Sequence, residues 1–138
     1  MEHILQVFIT LVLLTDVIFA NQYRDVREIS LKKDSQKKIL VKYDKYEKLL
    51  KFRWTLYVNG GLVVLHSLNN QVLQNILYLN HKNQSFRVEL KPRGASHYTV
   101  PYLLVKFKEF NYQRKEAVFE LFLSDKESEV RLKYFKNI

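Results

Sequence analysis

The chain has 138 residues, enough for one domain, and 47% of them are hydrophobic, which excludes a chain too polar to fold. It has no cysteine, so disulfide frameworks, thiol nucleophiles and thiolate metal sites are excluded. Lys and Arg total 23 against 14 Asp and Glu, a net charge of +9. Such a charge suits anionic partners such as nucleic acid, acidic lipid head groups or acidic glycans, or else a lysine-rich, solvated surface without a dedicated partner.

The first predicted element is the apolar run ILQVFITLVLLTDVIFA, Ile4 to Ala20. It has the length of a secretory h-region and ends on a small residue, so residues 1–20 are expected to be a signal peptide with an apolar helix. The leading MEH carries no Lys or Arg, and two alternatives stay open: an uncleaved membrane anchor and an element of the domain. An anchor would be short of the roughly 20 residues a bilayer needs and would bury Asp16. Membrane contact is expected only if residues 4–20 stay attached. Their removal takes Glu2 and Asp16 away and leaves 23 basic and 12 acidic residues, a net of +11.

Residues 21–138 are expected to form a single antiparallel β domain. After a polar lead-in with a short strand at 29–32, alternating runs recur about every ten residues between turn signals. They cover 38–43, 49–58, 62–67, 72–79, 84–90, 102–110, 117–123 and 129–135. Residues 43–50 and 71–78 could each make two turns of helix, but their periodicity is weak. No stretch offers the long crossover helix that parallel strands require. The expected fold class is an all-β antiparallel sandwich of about eight strands, with a closed barrel as the alternative.

The most informative stretch is KLLKFRWTLYVNGGLVVLHS, Lys48 to Ser67. Asn59-Gly60 suits a two-residue type I′ turn. That turn pairs Val58 with Gly61, Leu56 with Val63 and Trp54 with Leu65, and sets His66 outward opposite Arg53. A three-residue loop would put His66 opposite Trp54 instead. Strict alternation sends Leu50, Phe52, Trp54, Leu56 and Val58 inward, and Lys51, Arg53, Thr55 and Tyr57 outward.

The segments KFRWTLYVNGGLVVLHS, NQSFRVELKPRGA and PYLLVKFKEF resemble the recurrent core of small exported β-rich proteins of Gram-negative bacteria. The resemblance covers roughly Leu49–Leu123. It implies export and a β-rich fold, and it carries no activity and no site.

Catalytic and metal chemistry has little support. His3, His66, His81 and His97 form no HxH or HExxH pattern, and no phosphate-cradling glycine loop is present. Ser96 and His97 are adjacent in RGASHY, where a turn built on Pro92 and Gly94 explains them. Glu116 and Glu120 share one face of a strand, as solvated acids or as a carboxylate pair. No catalytic residue, metal ligand or cofactor is assigned.

What remains is a basic sheet face. Lys51, Arg53, Arg87, Lys106 and Lys108 all have outward parity, with Tyr57, Tyr102 and Phe110 expected among them. Bases interleaved with aromatics hold anionic polymers, and an ordinary polar outer face has the same composition. Val118, Phe122 and Phe135 are expected as apolar outer residues. The expected function is a non-enzymatic binding or structural module of the bacterial envelope, periplasmic or exported, or membrane-anchored if uncleaved. Its partner would be an envelope protein or an anionic polymer. The second reading is a barrel that binds single-stranded nucleic acid, for which residues 4–20 must belong to the domain.

Overall fold

A computed structural model of the chain describes residues 23–93 and 100–136. Nine strands follow in order: β1 (Asp25–Lys32), β2 (Lys37–Tyr43), β3 (Tyr46–Val58), β4 (Gly61–Ser67), β5 (Val72–Tyr78), β6 (Ser85–Glu89), β7 (Tyr102–Asn111), β8 (Glu116–Ser124) and β9 (Arg131–Tyr134). There is no helix among the described residues, and the expected helix over residues 1–20 lies outside them. The strands make two antiparallel sheets, one ordered β1-β8-β7-β6 and the other β5-β4-β3-β2-β9. Neither sheet closes on itself or on the other, so the barrel alternative is overturned. The two segments open to a helical reading, 43–50 and 71–78, are strand or hairpin. Their β-branched and aromatic residues pack against neighbouring strands, and that packing overrides a weak helical period.

Apolar side chains on the inner faces hold the sheets together. Phe52 of β3 meets Phe119 of β8 edge-on at 5.6 Å, and Trp54 meets Phe110 of β7 at 5.6 Å. The Trp54 indole also donates to the Leu31 carbonyl of β1 at 2.7 Å, which ties the two layers with a buried polar bond. At one side of the sandwich His66 of β4 stacks on Phe86 of β6 at 4.2 Å. At the other, the Arg27 guanidinium of β1 lies 4.1 Å from the centre of the Tyr134 ring of β9. Beside it, buried Asp125 accepts from Arg24 at 2.9 Å and from the backbone N–H groups of Glu129 and Val130. This clasp joins the start of β1 to the β8–β9 connection.

The β3–β4 hairpin shows where strict alternation breaks. Asn59 and Gly60 both have positive φ, 53° and 78°, as a type I′ turn requires. Val58 pairs with Gly61 and Leu56 with Val63, as expected. Thr55 is then an extra residue in a bulge, and the pairing resumes as Trp54 with Val64, Arg53 with Leu65 and Phe52 with His66. The expected Trp54–Leu65 pair is therefore wrong by one residue. His66 points into the core opposite Phe52, on the inner side that the three-residue alternative gave it, although the turn itself has two residues. Beyond the bulge, Tyr57 turns inward while Leu56 and Val58 turn outward, 47% and 53% exposed. A second bulge in β7, between Phe107 and Glu109, does the same for Phe110, which packs on the core. Tyr57 and Phe110 stack at 4.2 Å inside the sandwich, so neither belongs to an outer basic face.

Candidate functional site

The five cations expected on one face are divided between two. Lys51 and Arg53 lie on the outer side of the five-stranded sheet, opposite Lys38 and Leu65. Arg87, Lys106 and Lys108 lie on β6 and β7 of the other sheet. The two outer faces point in opposite directions, so no single surface contains all five. These five side chains do lie on the outer side of their strands, but parity along a strand does not say which strands share a sheet.

On the four-stranded sheet two of the cations, Lys108 and Arg93, are ion-paired and the others have an acid or an aromatic ring beside them. Lys108 donates to Glu28 at 2.7 Å, and this bond, with the nearby charge, holds its ammonium above the usual lysine range. Lys106 stands opposite Glu120 across the β7–β8 pair. The Arg87 guanidinium lies 3.7 Å from the centre of the Tyr102 ring. Arg93 forks onto Glu89 at 2.6 and 3.0 Å, which holds the Glu89 carboxyl below the usual range. Opposite charges alternate over this face, and it presents no excess of one sign.

Of the two readings of Glu116 and Glu120, solvated acids or a carboxylate pair, the geometry favours the first. Glu116 and Glu120 are four residues apart on an extended strand, ~13 Å by strand rise. The carboxylates that stand directly opposite each other are Glu28 and Glu120, and Lys108 bonds to the former. Among the described residues, no three His, Cys, Asp or Glu side chains gather closely enough to hold a metal ion. Ser96 and His97 lie outside the described residues. Of the apolar residues expected outside, Val118 is buried and Phe135 is exposed.

The five-stranded sheet is different. By register its outer side carries Lys38 and Lys42 from β2, Lys51 and Arg53 from β3, and Arg131 and Lys133 from β9, against one acid, Glu47. Glu47 pairs with Lys42 at 3.6 Å. Among the described residues, Lys38, Lys51, Arg53, Arg131 and Lys133 reach no carboxylate at salt-bridge distance. Lys38 and Lys51 are direct cross-strand partners, so their Cβ atoms lie about 5 Å apart. Like charges so placed oppose pairing. Lys133 stands opposite Leu40 on the far side of β2, next to Lys38 on the same face. The sequence-based reading missed Lys38, Lys42, Arg131 and Lys133. Their signal is the alternation of KKILVKY and RLKY, in which Lys38 and Lys42 share one parity against Ile39 and Val41, and Arg131 and Lys133 share one against Leu132.

The same outer side changes character beyond Arg53. Toward β5 it is apolar, with a cross-strand row of Leu56, Val63 and Ile76 flanked by Val58 and Tyr78. One sheet face thus has a basic half over β9, β2 and the first part of β3, and an apolar half over the rest of β3, β4 and β5. No helix of the described residues is long and apolar enough to cross a membrane. The chain matches no protein-family model, no curated protein and no solved structure.

Proposed function

We propose that the chain is a non-enzymatic binding module of the bacterial cell envelope that holds an anionic polymer on the basic half of its five-stranded sheet. The observation that carries this reading is the direct opposition of Lys38 and Lys51, with Arg53 and Lys133 beside them and, among the described residues, no carboxylate at salt-bridge distance from any of the four. Folding gains nothing from that placement, whereas a polyanion lying across β2 and β3 relieves it. Export rests on the apolar run that ends at Ala20 and on the resemblance of the Leu49–Leu123 region to exported β-rich proteins.

The test compares two double variants of equal charge loss. Lys51→Gln/Arg53→Gln acts on the proposed face, and Lys106→Gln/Lys108→Gln acts on the opposite sheet. On immobilised polyphosphate the first variant elutes at clearly lower salt than the unmodified protein, while the second elutes nearly with it. Equal shifts for the two would mean that net charge alone governs retention, and the assigned face would be wrong. Retention that does not fall with salt would rule out an anion held by exposed cations, because screening acts over about 8 Å at physiological ionic strength.

A further inference from the structure

The two sheets differ in width, and the difference falls at one side. His66 of β4 stacks on Phe86 of β6, so the four-stranded sheet ends above β4 and β5 projects beyond it. Inward parity on β5 therefore does not ensure burial. Leu77 is 1% exposed, but Leu73, on the same side of the same strand, is 51% exposed. On the outer side Val72, Ile76 and Tyr78 are exposed as well.

The sandwich has four sheet edges, and three carry charges on the edge strand. β1 has Asp25, Arg27, Glu28 and Lys32; the five-residue β6 has Arg87 and Glu89; the four-residue β9 has Arg131 and Lys133. Charges and short length keep an edge from pairing with another chain. β5, VLQNILY, has seven residues and no charge. In a chain of net +9 this edge lacks the charges that protect the others, although at its end the Tyr78 N–H already donates to the Asn83 carbonyl of the following loop.

The sequence of β5 is complementary to itself. An antiparallel pairing about a two-fold axis through Asn75 sets the Val72 side chain against Tyr78, whose N–H stays with the Asn83 carbonyl, and Leu73 against Leu77 of the second copy. Gln74 then stands against Ile76, and Asn75 against its own equivalent. No charge meets a charge, and the exposed Val72 and Leu73 each gain an apolar neighbour. Electrostatics favours this edge over any other approach. In the paired arrangement the two β3 strands, which carry Lys51 and Arg53, stand five strand spacings apart, ~24 Å. That is about three Debye lengths at physiological salt. We propose that β5 pairs with β5 of a second copy, joining two five-stranded sheets into one ten-stranded sheet with a basic patch toward each end. Two seven-residue edges and their flanking side chains bury close to the ~1,000 Å² lower limit of specific interfaces, so the dimer is reversible.

Sedimentation velocity across a range of protein concentrations and salt tests this. The unmodified protein should pass from monomer to dimer as concentration rises. Because the repulsion lies away from an uncharged contact, added salt should favour the dimer, opposite to its effect on polyanion retention. The two readings can therefore fail separately. Gln74→Lys/Ile76→Lys brings four lysines together across the axis and should abolish the dimer. Both positions are exposed, so its far-UV circular dichroism should stay unchanged. The native chain has no cysteine, so Gln74→Cys can carry a single pyrene, and the two labels, ~8 Å apart by strand geometry, should form an excimer. The excimer tests the geometry even if the lysine variant fails to fold. A protein that stays monomeric at all concentrations overturns the proposal and leaves the edge to strands of other proteins. A dimer without an excimer overturns it as well, by moving the contact to another surface.

Discussion

Removing Thr55 tests the bulge in β3 directly. The register places Trp54 opposite Val64 and Leu56 opposite Val63, so Thr55 has no partner of its own on β4. The pairing with β2 ends at Phe52, so β2 does not constrain residue 55. Deleting Thr55 restores plain alternation with Trp54 inward, Leu56 outward and Tyr57 inward, as they already are. Deleting Arg53 also restores plain alternation, but it turns Trp54 outward and puts Thr55 in its place. That variant loses a buried indole, its 2.7 Å bond to the Leu31 carbonyl and its edge contact with Phe110. The expected penalty is about 3–5 kcal/mol, the range for removing a large aromatic from a core. Loss of Thr55 should cost about 1 kcal/mol, near the middle of the range for ordinary changes. In a domain of this size, each kcal/mol lowers the melting temperature by about 4 °C. Thermal melts followed by circular dichroism should therefore separate the two deletions by about 10 °C or more, with the Arg53 deletion near the limit of a stability of about 5–15 kcal/mol. Equal destabilisation by the two deletions would refute the assignment of Thr55 as the extra residue.

Two further outcomes follow from buried polar groups. Asp125→Ala leaves two backbone N–H groups without their acceptor and Arg24 with only the Val130 carbonyl, and should cost about 2–4 kcal/mol in urea unfolding. Arg24→Ala, which leaves the carboxylate its two backbone donors, should cost less. Burial lowers the affinity of the His66 imidazole for a proton, with its hydrogen bond to Asn75 acting the other way. Because the folded state binds that proton less readily than the unfolded chain, stability is constant above about pH 6.5 and falls as pH drops below it. His66→Gln should flatten that acid limb in a series of melts from pH 7.5 to 4.5, and an unchanged limb would place its origin elsewhere.

Much of the fold is legible because inner and outer residues alternate cleanly. KKILVKY, SFRVE and RLKY announce both a strand and its faces, and Asn59-Gly60 announces its turn. What fails is what alternation cannot encode. A bulge inserts one residue without any composition signal, so Tyr57 and Phe110 were expected on the wrong side. In β1 only the end Ile29–Lys32 reads as strand, because charged residues interrupt its first half; pairing with β8 extends it to Asp25. The candidate site was half legible for the same reason. Lys51 and Arg53 have the expected parity, but their neighbours Lys38 and Lys133 come from strands 13 residues before and 82 residues after Lys51. Only the order β3-β2-β9 brings them together, and that order also separates Lys51 and Arg53 from Lys106 and Lys108.

The bulge at Thr55 links the core to the outer surface. Strict alternation along LKFRWTLYV would bury Leu56 and Val58 and leave Tyr57 in water. The observed register does the reverse and stacks Tyr57 on Phe110, while its hydroxyl lies 3.1 Å from that of Tyr112 at the mouth of the sandwich. An aromatic ring fills more of the space between sheets than an aliphatic side chain, and its polar end stays satisfied. That gain accounts for the inside. It does not account for the outside, where Leu56 joins Val63 and Ile76 in an exposed apolar row. Polar residues on those outward positions would serve folding equally well, and an apolar row of this kind is a feature of contact surfaces. The row ends on β5, the uncharged edge strand. Two-fold pairing there continues Leu56-Val63-Ile76 of one copy into Gln74, Leu65 and Arg53 of the other. A one-residue insertion in β3 thus connects the packing of the core, the apolar half of the outer face and the basic half of a neighbouring copy.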